Sequence, residues 1–357
     1  MPKRTIYEAV TERLEILDKD GKADKALVPR LSDEQFRDLY RNMVWMRRFD
    51  EKALNLQRQG RLGTYGSLRG QEAAQAGLAL AMEEVDWMVP SFREHGIMML
   101  RGIPGHLIYA FWKGDERGSR FPEGTRCLPP AIPVGSQLLH AVGVGLALKL
   151  RGEDAVAVGF AGDGASSEGD FHEALNFAGV FRPKTVFYIQ NNQWAISVPF
   201  RQQTAAGSIA QRAHGYGIPG IQVDGNDVLA CYAAAKEALD RARSGGGATL
   251  IEAHTYRMEN HTTADDAKKY RPPEELEYWA QRDPLARMRA FLESRKLWSE
   301  AEEEAFLEEA SARVERDVEA LEAMPEPHPS EIFDSMYSEL PWNLVEQREA
   351  LLNEVGR

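Results

Sequence analysis

Along the 357 residues the hydrophobic pattern changes period several times, and each change marks an element. Residues 1–30 carry few hydrophobic positions and read as an extended, polar arm that lies on something else, with Pro29 just before the first helical pattern. From Ser32, the text SDEQFRDLYRNMVWMRRFDEKALNLQRQG joins a cap, early acids and helical apolar spacing, then stops at Gly60. It predicts a helix. A second is predicted after Gly70 (QEAAQAGLALAM) and a third from Gln137 to Leu150, whose small Gly143 and Gly145 would let a neighbour pack closely.

The middle of the chain alternates short apolar runs with helical patterns. DAVAVGFAGDG, TVFYIQNNQ, IPGIQVDG and ATLIEAHTYR read as strands, with helices at EGDFHEALNFAGV and from Asp227 to Ser244. This predicts an α/β fold, a parallel sheet with helices on both faces. Ligands of such sheets bind beyond the carboxyl ends of the strands, here the loops at 161–168, 190–196 and 257–270. After Asp283-Pro284 come a helix (PLARMRAFLESRKLW) and an acidic one, SEAEEEAFLEEASARVERDVEALEAM, whose charges read as a solvated face. The tail EIFDSMYSELPWNLVEQREALL is too apolar for a free end and is expected to dock, with another subunit as one seat. The expected division is an arm (1–30), an α/β cofactor-binding domain (31–295) and a C-terminal helical extension with a docking tail (296–357).

Composition narrows the class. With 43% hydrophobic and 27% charged residues the chain is globular, and 43 Lys and Arg against 55 Asp and Glu leave a net charge of −12. Such a surface repels nucleic acid and anionic lipid, so neither is an expected partner. Two cysteines without a CxxC pair suggest no disulfide framework or thiolate zinc site. The N-terminus lacks the apolar core of a signal peptide and no apolar run approaches a membrane span, so the expected location is the cytoplasm. The dinucleotide fingerprint, the P-loop and the GxSxG elbow are absent, and His172-Glu173 is followed by Asn176 where a zinc protease helix needs histidine.

One constellation stands out. Gly162-Asp163-Gly164 closes one predicted strand and Asn191-Asn192 closes the next, separated by the length of one helix and one strand. Asp163 could supply a carboxylate, Asn192 an amide oxygen and Trp194 a peptide carbonyl to magnesium, which takes six oxygens and keeps phosphate and water among them. A second carboxylate would repel an anion held by that cation; a neutral amide does not. The glycines allow close backbone approach, and a helix starting near Ser166-Ser167-Glu168 would offer free N–H groups. GDG alone would read as a tight turn; with the spaced NN it reads as a diphosphate-and-magnesium cradle.

GDG followed at this spacing by NN is the signature of thiamine diphosphate enzymes. The surrounding text resembles the alpha subunits of 2-oxo acid dehydrogenases, in particular the first, decarboxylating component of the pyruvate dehydrogenase complex. The resemblance spans nearly the whole chain, including VPSFREHG, FPEGTRCLPPAIPVGSQ, GDGASSEGDFHEALNFAGVF, QNNQWAISVPF, GIPGIQVDGNDVLA, RMENHTTADDAKKYR and SMYSELPWNLVEQ.

The resemblance implies thiamine diphosphate and Mg2+ as cofactors, with Asp163, Asn192 and the Trp194 carbonyl as metal ligands. It implies Gly162, Gly164, Ala165, Ala195 and Ile196 along the diphosphate, Phe92 and Arg93 at the family's Tyr-Arg pair, and Ile132, Pro133 and Val134 as the backbone segment for the aminopyrimidine ring. Phe92 lacks the family's hydroxyl. Thr64 stands where a larger aromatic is usual, Thr262 at a position phosphorylated in some relatives, and His95 in an RxHG motif where a structural hydrogen bond is expected. His261 is implied as the catalytic loop histidine, close to the cofactor and to acyl transfer. The pyrimidine-activating glutamate would come from a beta subunit in an α2β2 heterotetramer, and the acyl group would pass to a lipoyl-bearing acyltransferase. Pyruvate is the implied substrate; a branched-chain 2-oxo acid is the alternative, because HTTADD resembles that subfamily's loop. A nicotinamide-dependent dehydrogenase and a non-catalytic scaffold are the remaining readings.

Overall fold

Six strands form one sheet in the order β1-β7-β8-β4-β3-β2, every neighbouring pair parallel. They are β1 (Glu12–Leu14), β2 (Trp87–Val89), β3 (Ala157–Gly162), β4 (Thr185–Asn191), β7 (Gly220–Asp224) and β8 (Thr249–His254); β5 (Trp194–Ala195) and β6 (Val198–Pro199) make a separate antiparallel hairpin. The computed structural model describes residues 3–334 and 336–356.

The α-helices are α1 (Asp33–Arg58), α2 (Glu72–Ala81), α3 (His95–Leu100), α4 (Gly105–Lys113), α5 (Ser136–Arg151) and α6 (Gly169–Phe181) in the first half. They continue with α7 (Phe200–Gln203), α8 (Val228–Arg243), α9 (Pro273–Ala280), α10 (Pro284–Ser294), α11 (Glu300–Glu322), α12 (Glu331–Asp334) and α13 (Trp342–Val355). Ser32 caps α1 with a full capping box: its hydroxyl accepts from Gln35 N while the Gln35 side chain takes Ser32 N.

Alternation along the central strands makes two cores. Val158, Phe160, Val186 and Tyr188 pack with residues of α1, α2 and α8, while Ala161, Phe187, Ile189 and Leu250 pack with residues of α5 and α6. Every residue of β4 is buried, as a strand covered on both faces requires. Register then fixes the site: Gly162 pairs with Gln190 across β3 and β4, so Asp163 and Asn192 leave the sheet side by side at the same edge.

The structure corrects some of these expectations and bears out others. The polar arm lies on this chain's own sheet, where β1 extends β7, and Ile16 and Leu17 are buried. Its backbone is held by Asp227, whose Oδ2 accepts from Ile16 N and Leu17 N at 2.6 Å while Oδ1 caps α8. Of the two small residues in α5, only Gly145 is needed: a Cβ there would meet Thr185 Oγ1 at 2.1 Å, whereas one at Gly143 would meet nothing. As expected, helix α6 starts next to Glu168, its N-cap, and a 3-10 turn over Gly164–Ser167 precedes it. As expected, the charges of α11 form a solvated face, while Ala310, Val314, Val318 and Leu321 on its other side are buried. Helix α13 in the tail buries no residue against this chain.

Candidate active site

Beyond the carboxyl ends of β3 and β4 lies a cavity of about 530 Å³, a size that suits a cofactor. Every residue expected at the cofactor site lines it except Pro133, which is exposed and whose carbonyl accepts from Ser136 Oγ at 2.8 Å. Ile132 and Val134 do line the cavity and are themselves about half exposed.

Asp163 opens the turn after β3 and is buried. Burial pushes its carboxyl up to about 6, although a hydrogen bond from Gln203 Nε2 at 2.6 Å and the peptide N–H groups of Asp163 and Asn192 pull the other way. Gly164 is required for close approach: a Cβ there would sit 2.8 Å from that of Ala195 in the hairpin.

The two asparagines have separate tasks. Asn191 is structural, donating to Glu252 Oε1 at 2.7 Å and accepting from Gln193 Nε2 at 2.9 Å. Asn192 turns to the cavity; its Oδ1 accepts from Trp194 N at 3.3 Å, and its Nδ2 donates across a long 3.5 Å to Gln71 Oε1. Positive φ at Gln193 (72°) and Ile196 (54°) folds the β5–β6 hairpin back over this edge.

Arg257, fully buried, ties the hairpin to the loop that follows β8. Its Nη1 donates to Trp194 O at 3.1 Å and its Nη2 to Ile196 O at 2.8 Å. Each carbonyl has a second lone pair, which is what a cation would take at Trp194. Arg93, also buried, donates to Ser67 O at 2.5 Å and to His261 O at 2.9 Å. Burial and the neighbouring Arg257 charge lower its pKa to about 10, so it stays charged at neutral pH.

His261 Nδ1 lies 3.3 Å from Arg257 Nη1 and 3.4 Å from Arg93 Nη2. Both are donors, so Nδ1 is the accepting nitrogen and the proton sits on Nε2. Burial first, then the two guanidinium charges, lowers the ring pKa to about 4. Phe92 meets the imidazole edge to face with centroids 6.0 Å apart. The loop is held by Asp265 Oδ2, which accepts from His261 N at 2.8 Å and from the Tyr270 hydroxyl. Thr64 and Thr262 also line the cavity, and buried His95 bonds Gly66 O at 2.8 Å through Nε2.

Sequence reasoning missed Gln71, Ser91, Glu94, Trp112 and Gln190 on the cavity wall, and Gln203 and Arg257 behind it. Among the described residues no cluster of three His, Cys, Asp or Glu could hold a metal. The donor set at hand is of another composition: one carboxylate, one carboxamide and one peptide carbonyl, all hard oxygens of the type magnesium takes. Two buried arginines, Arg93 on the wall and Arg257 behind it, bring positive charge to this edge beside the carboxyl groups of Asp163, Glu94 and Glu168.

Residues 40–330 match the family described as Dehydrogenase E1 component. The 3-methyl-2-oxobutanoate dehydrogenase subunit alpha of Mycobacterium tuberculosis is 46% identical over 358 residues, covering 100% of this chain and 98% of its own. The pyruvate dehydrogenase E1 component subunit alpha of Staphylococcus aureus is 44% identical over 340 residues, covering 95% of this chain and 92% of its own. The chain belongs to the dehydrogenase E1 component family, as an alpha subunit of the thiamine diphosphate-dependent 2-oxo acid dehydrogenases.

Proposed function

We propose that this chain holds the diphosphate end of thiamine diphosphate through Mg2+ and, with a beta subunit, catalyses oxidative decarboxylation of pyruvate with transfer of the acyl group to a lipoyl-bearing acyltransferase. The convergence of Asp163, Asn192 and Trp194 on a cavity that also receives Arg93 and His261 carries this reading. When bound, the cofactor supplies the electron sink that lets a 2-oxo acid lose carbon dioxide.

The chain's own residues do the holding. Asp163, the Asn192 amide oxygen and the Trp194 carbonyl would bind the cation, and Arg93, Gly164, Ala165, Ala195 and Ile196 would flank the phosphates. Phe92, Ile132 and Val134 would flank the rings. His261, neutral with its proton on Nε2, can present that proton to an acceptor during acyl transfer. One sheet supplies one side of the site; exposed Ile132, Val134, Ile196 and Val198 at this edge are an apolar rim suited to burial by the beta subunit of an α2β2 assembly, which would bring the activating glutamate.

A second reading, a branched-chain 2-oxo acid substrate, is favoured by the M. tuberculosis relative's name and by the small Thr64 on the cavity wall. The test is co-production with a beta subunit of the same family, followed by comparison of pyruvate and 3-methyl-2-oxobutanoate turnover. A higher kcat/KM for pyruvate supports the first reading and the reverse order the second. Inactivity on every 2-oxo acid, with no thiamine diphosphate uptake, would end both.

A further inference from the structure

Gln71 occupies the N-cap of α2, yet its side chain makes no capping hydrogen bond. It is fully buried, it lines the cavity, and its Oε1 accepts from the Asn192 amide at 3.5 Å. Its Nε2 has no partner. A buried amide donor left unpaired is costly, and on a cavity wall it is positioned to be satisfied by an acceptor that enters with a ligand.

The backbone around it is fixed. Gly70 has φ +94° and is so close to Tyr256 O that a Cβ would sit 2.4 Å away, while Gly70 O accepts from Thr255 Oγ1 at 2.8 Å and Gly70 N donates to Glu72 Oε2 at 2.9 Å. Gln71 is therefore held against the cavity by its neighbours, and its free donor is kept there at a cost to the fold.

We propose that Gln71 is a further binding residue for the anionic end of the cofactor. Its Nε2 would donate to a diphosphate oxygen, and its Oε1 holds the Asn192 amide so that the second lone pair of Oδ1 is left for the cation. The orientation is enforced from two sides, by Gln71 Oε1 on Nδ2 and by Trp194 N on Oδ1. This rests on the function proposed above, but it assigns a role to a residue that lies outside the GDG and NN motifs.

The test uses the chain assembled with its beta subunit, titrated calorimetrically with thiamine diphosphate and Mg2+ and, separately, with unphosphorylated thiamine. Gln71→Met keeps length and removes donor and acceptor; Gln71→Glu keeps an acceptor for Asn192 and replaces the donor with a carboxylate. Gln71→Met is expected to weaken thiamine diphosphate binding about 10- to 100-fold, the worth of a hydrogen bond to a charged group, with thiamine binding changed less than threefold. Gln71→Glu is expected to lose at least as much, and increasingly as pH rises and its carboxyl ionises, which a purely structural role would not produce. Melting of the cofactor-free assembly checks that each variant folds, and if Gln71→Met fails to fold the pH dependence of Gln71→Glu decides alone. Wild-type affinity in both variants, or an equal loss for thiamine, overturns the role of Gln71. Absence of thiamine diphosphate binding by the wild-type assembly overturns instead the function on which it rests.

Discussion

The side-chain amide of Gln203 donates to the carboxylate of Asp163 across 2.6 Å, so the proposed metal ligand is buried with a neutral partner and no opposing charge in direct contact. Burial lifts its carboxyl to about 6 from 3.8. The unfolded chain releases this proton near pH 4 and the folded chain only near pH 6, so stability falls as pH rises between those values, by about 3 kcal/mol for this group at most. Asp163→Asn should therefore match wild type in melting at about pH 4 and exceed it by a few degrees at about pH 7 in the cofactor-free protein. The same variant should lose Mg2+-dependent uptake of thiamine diphosphate. Melting curves across this pH range with parallel calorimetry check both; a variant less stable than wild type at neutral pH would contradict the burial argument.

His261 titrates in the opposite sense. Its pKa is lowered to about 4, so the folded chain stays neutral where the unfolded chain is already protonated, and the contribution to stability is lost as pH falls from about 6.5 to about 4. At neutral pH the ring is a fixed donor at Nε2. His261→Ala should leave cofactor affinity within a few-fold, keep decarboxylation with an artificial electron acceptor, and slow lipoyl acylation about 100-fold, the scale of a lost proton-transfer group. Stopped-flow acylation beside dye-coupled decarboxylation separates the steps, and equal losses in both would remove the transfer role.

Thr64 is half-buried on the cavity wall, its N–H on Trp112 O and its hydroxyl 3.5 Å from that of Thr263. A bulky ring in this place would take volume from the substrate side. Thr64→Phe is expected to lower kcat/KM for 3-methyl-2-oxobutanoate about 10- to 100-fold relative to pyruvate, since each methylene that no longer fits is worth about 1–3 kcal/mol. Parallel steady-state kinetics with the two acids measure the ratio. An unchanged ratio would place the substrate's side chain away from Thr64.

Much of the site was legible because its spacing is a consequence of topology: one helix and one strand separate Asp163 from Asn192, and parallel pairing of Gly162 with Gln190 brings them to one edge. The capping box at Ser32 was legible for a similar local reason. Gln71 and Arg257 were not, because their meaning lies in long-range partners, Asn192 for one and the Trp194 and Ile196 carbonyls for the other. Strand β1 was hidden differently. At the sheet edge only three residues pair, with the pattern exposed, exposed, half-buried, so no hydrophobic alternation announces it.

What holds that strand is Asp227. Its carboxylate caps α8 through Leu229 N and Ala230 N and accepts two arm N–H groups from Ile16 and Leu17. Asp227→Ala removes a cap and leaves buried donors unpaired, an expected loss of about 3 kcal/mol. Urea unfolding should show it, and limited proteolysis should cut the arm between residues 3 and 24 sooner than in wild type. A variant with normal stability and a protected arm would mean that strand pairing with β7 suffices.

The last prediction concerns the rim. Val198 is 43% exposed in β6, opposite Ala195, which lines the cavity, while Val198 itself does not. It can therefore take a charge with no direct loss of a cofactor contact. Burying an unpaired lysine in a partner interface costs several kcal/mol, because the ammonium must give up its water. Val198→Lys is expected to leave the melting temperature of the isolated chain within about 1–2 °C and to weaken assembly with the beta subunit at least about 30-fold, seen by analytical ultracentrifugation of the mixture. Activity should return at high subunit concentration, because the lesion lies in association. Full assembly at wild-type concentrations would show that the beta subunit leaves this edge of the hairpin in solvent.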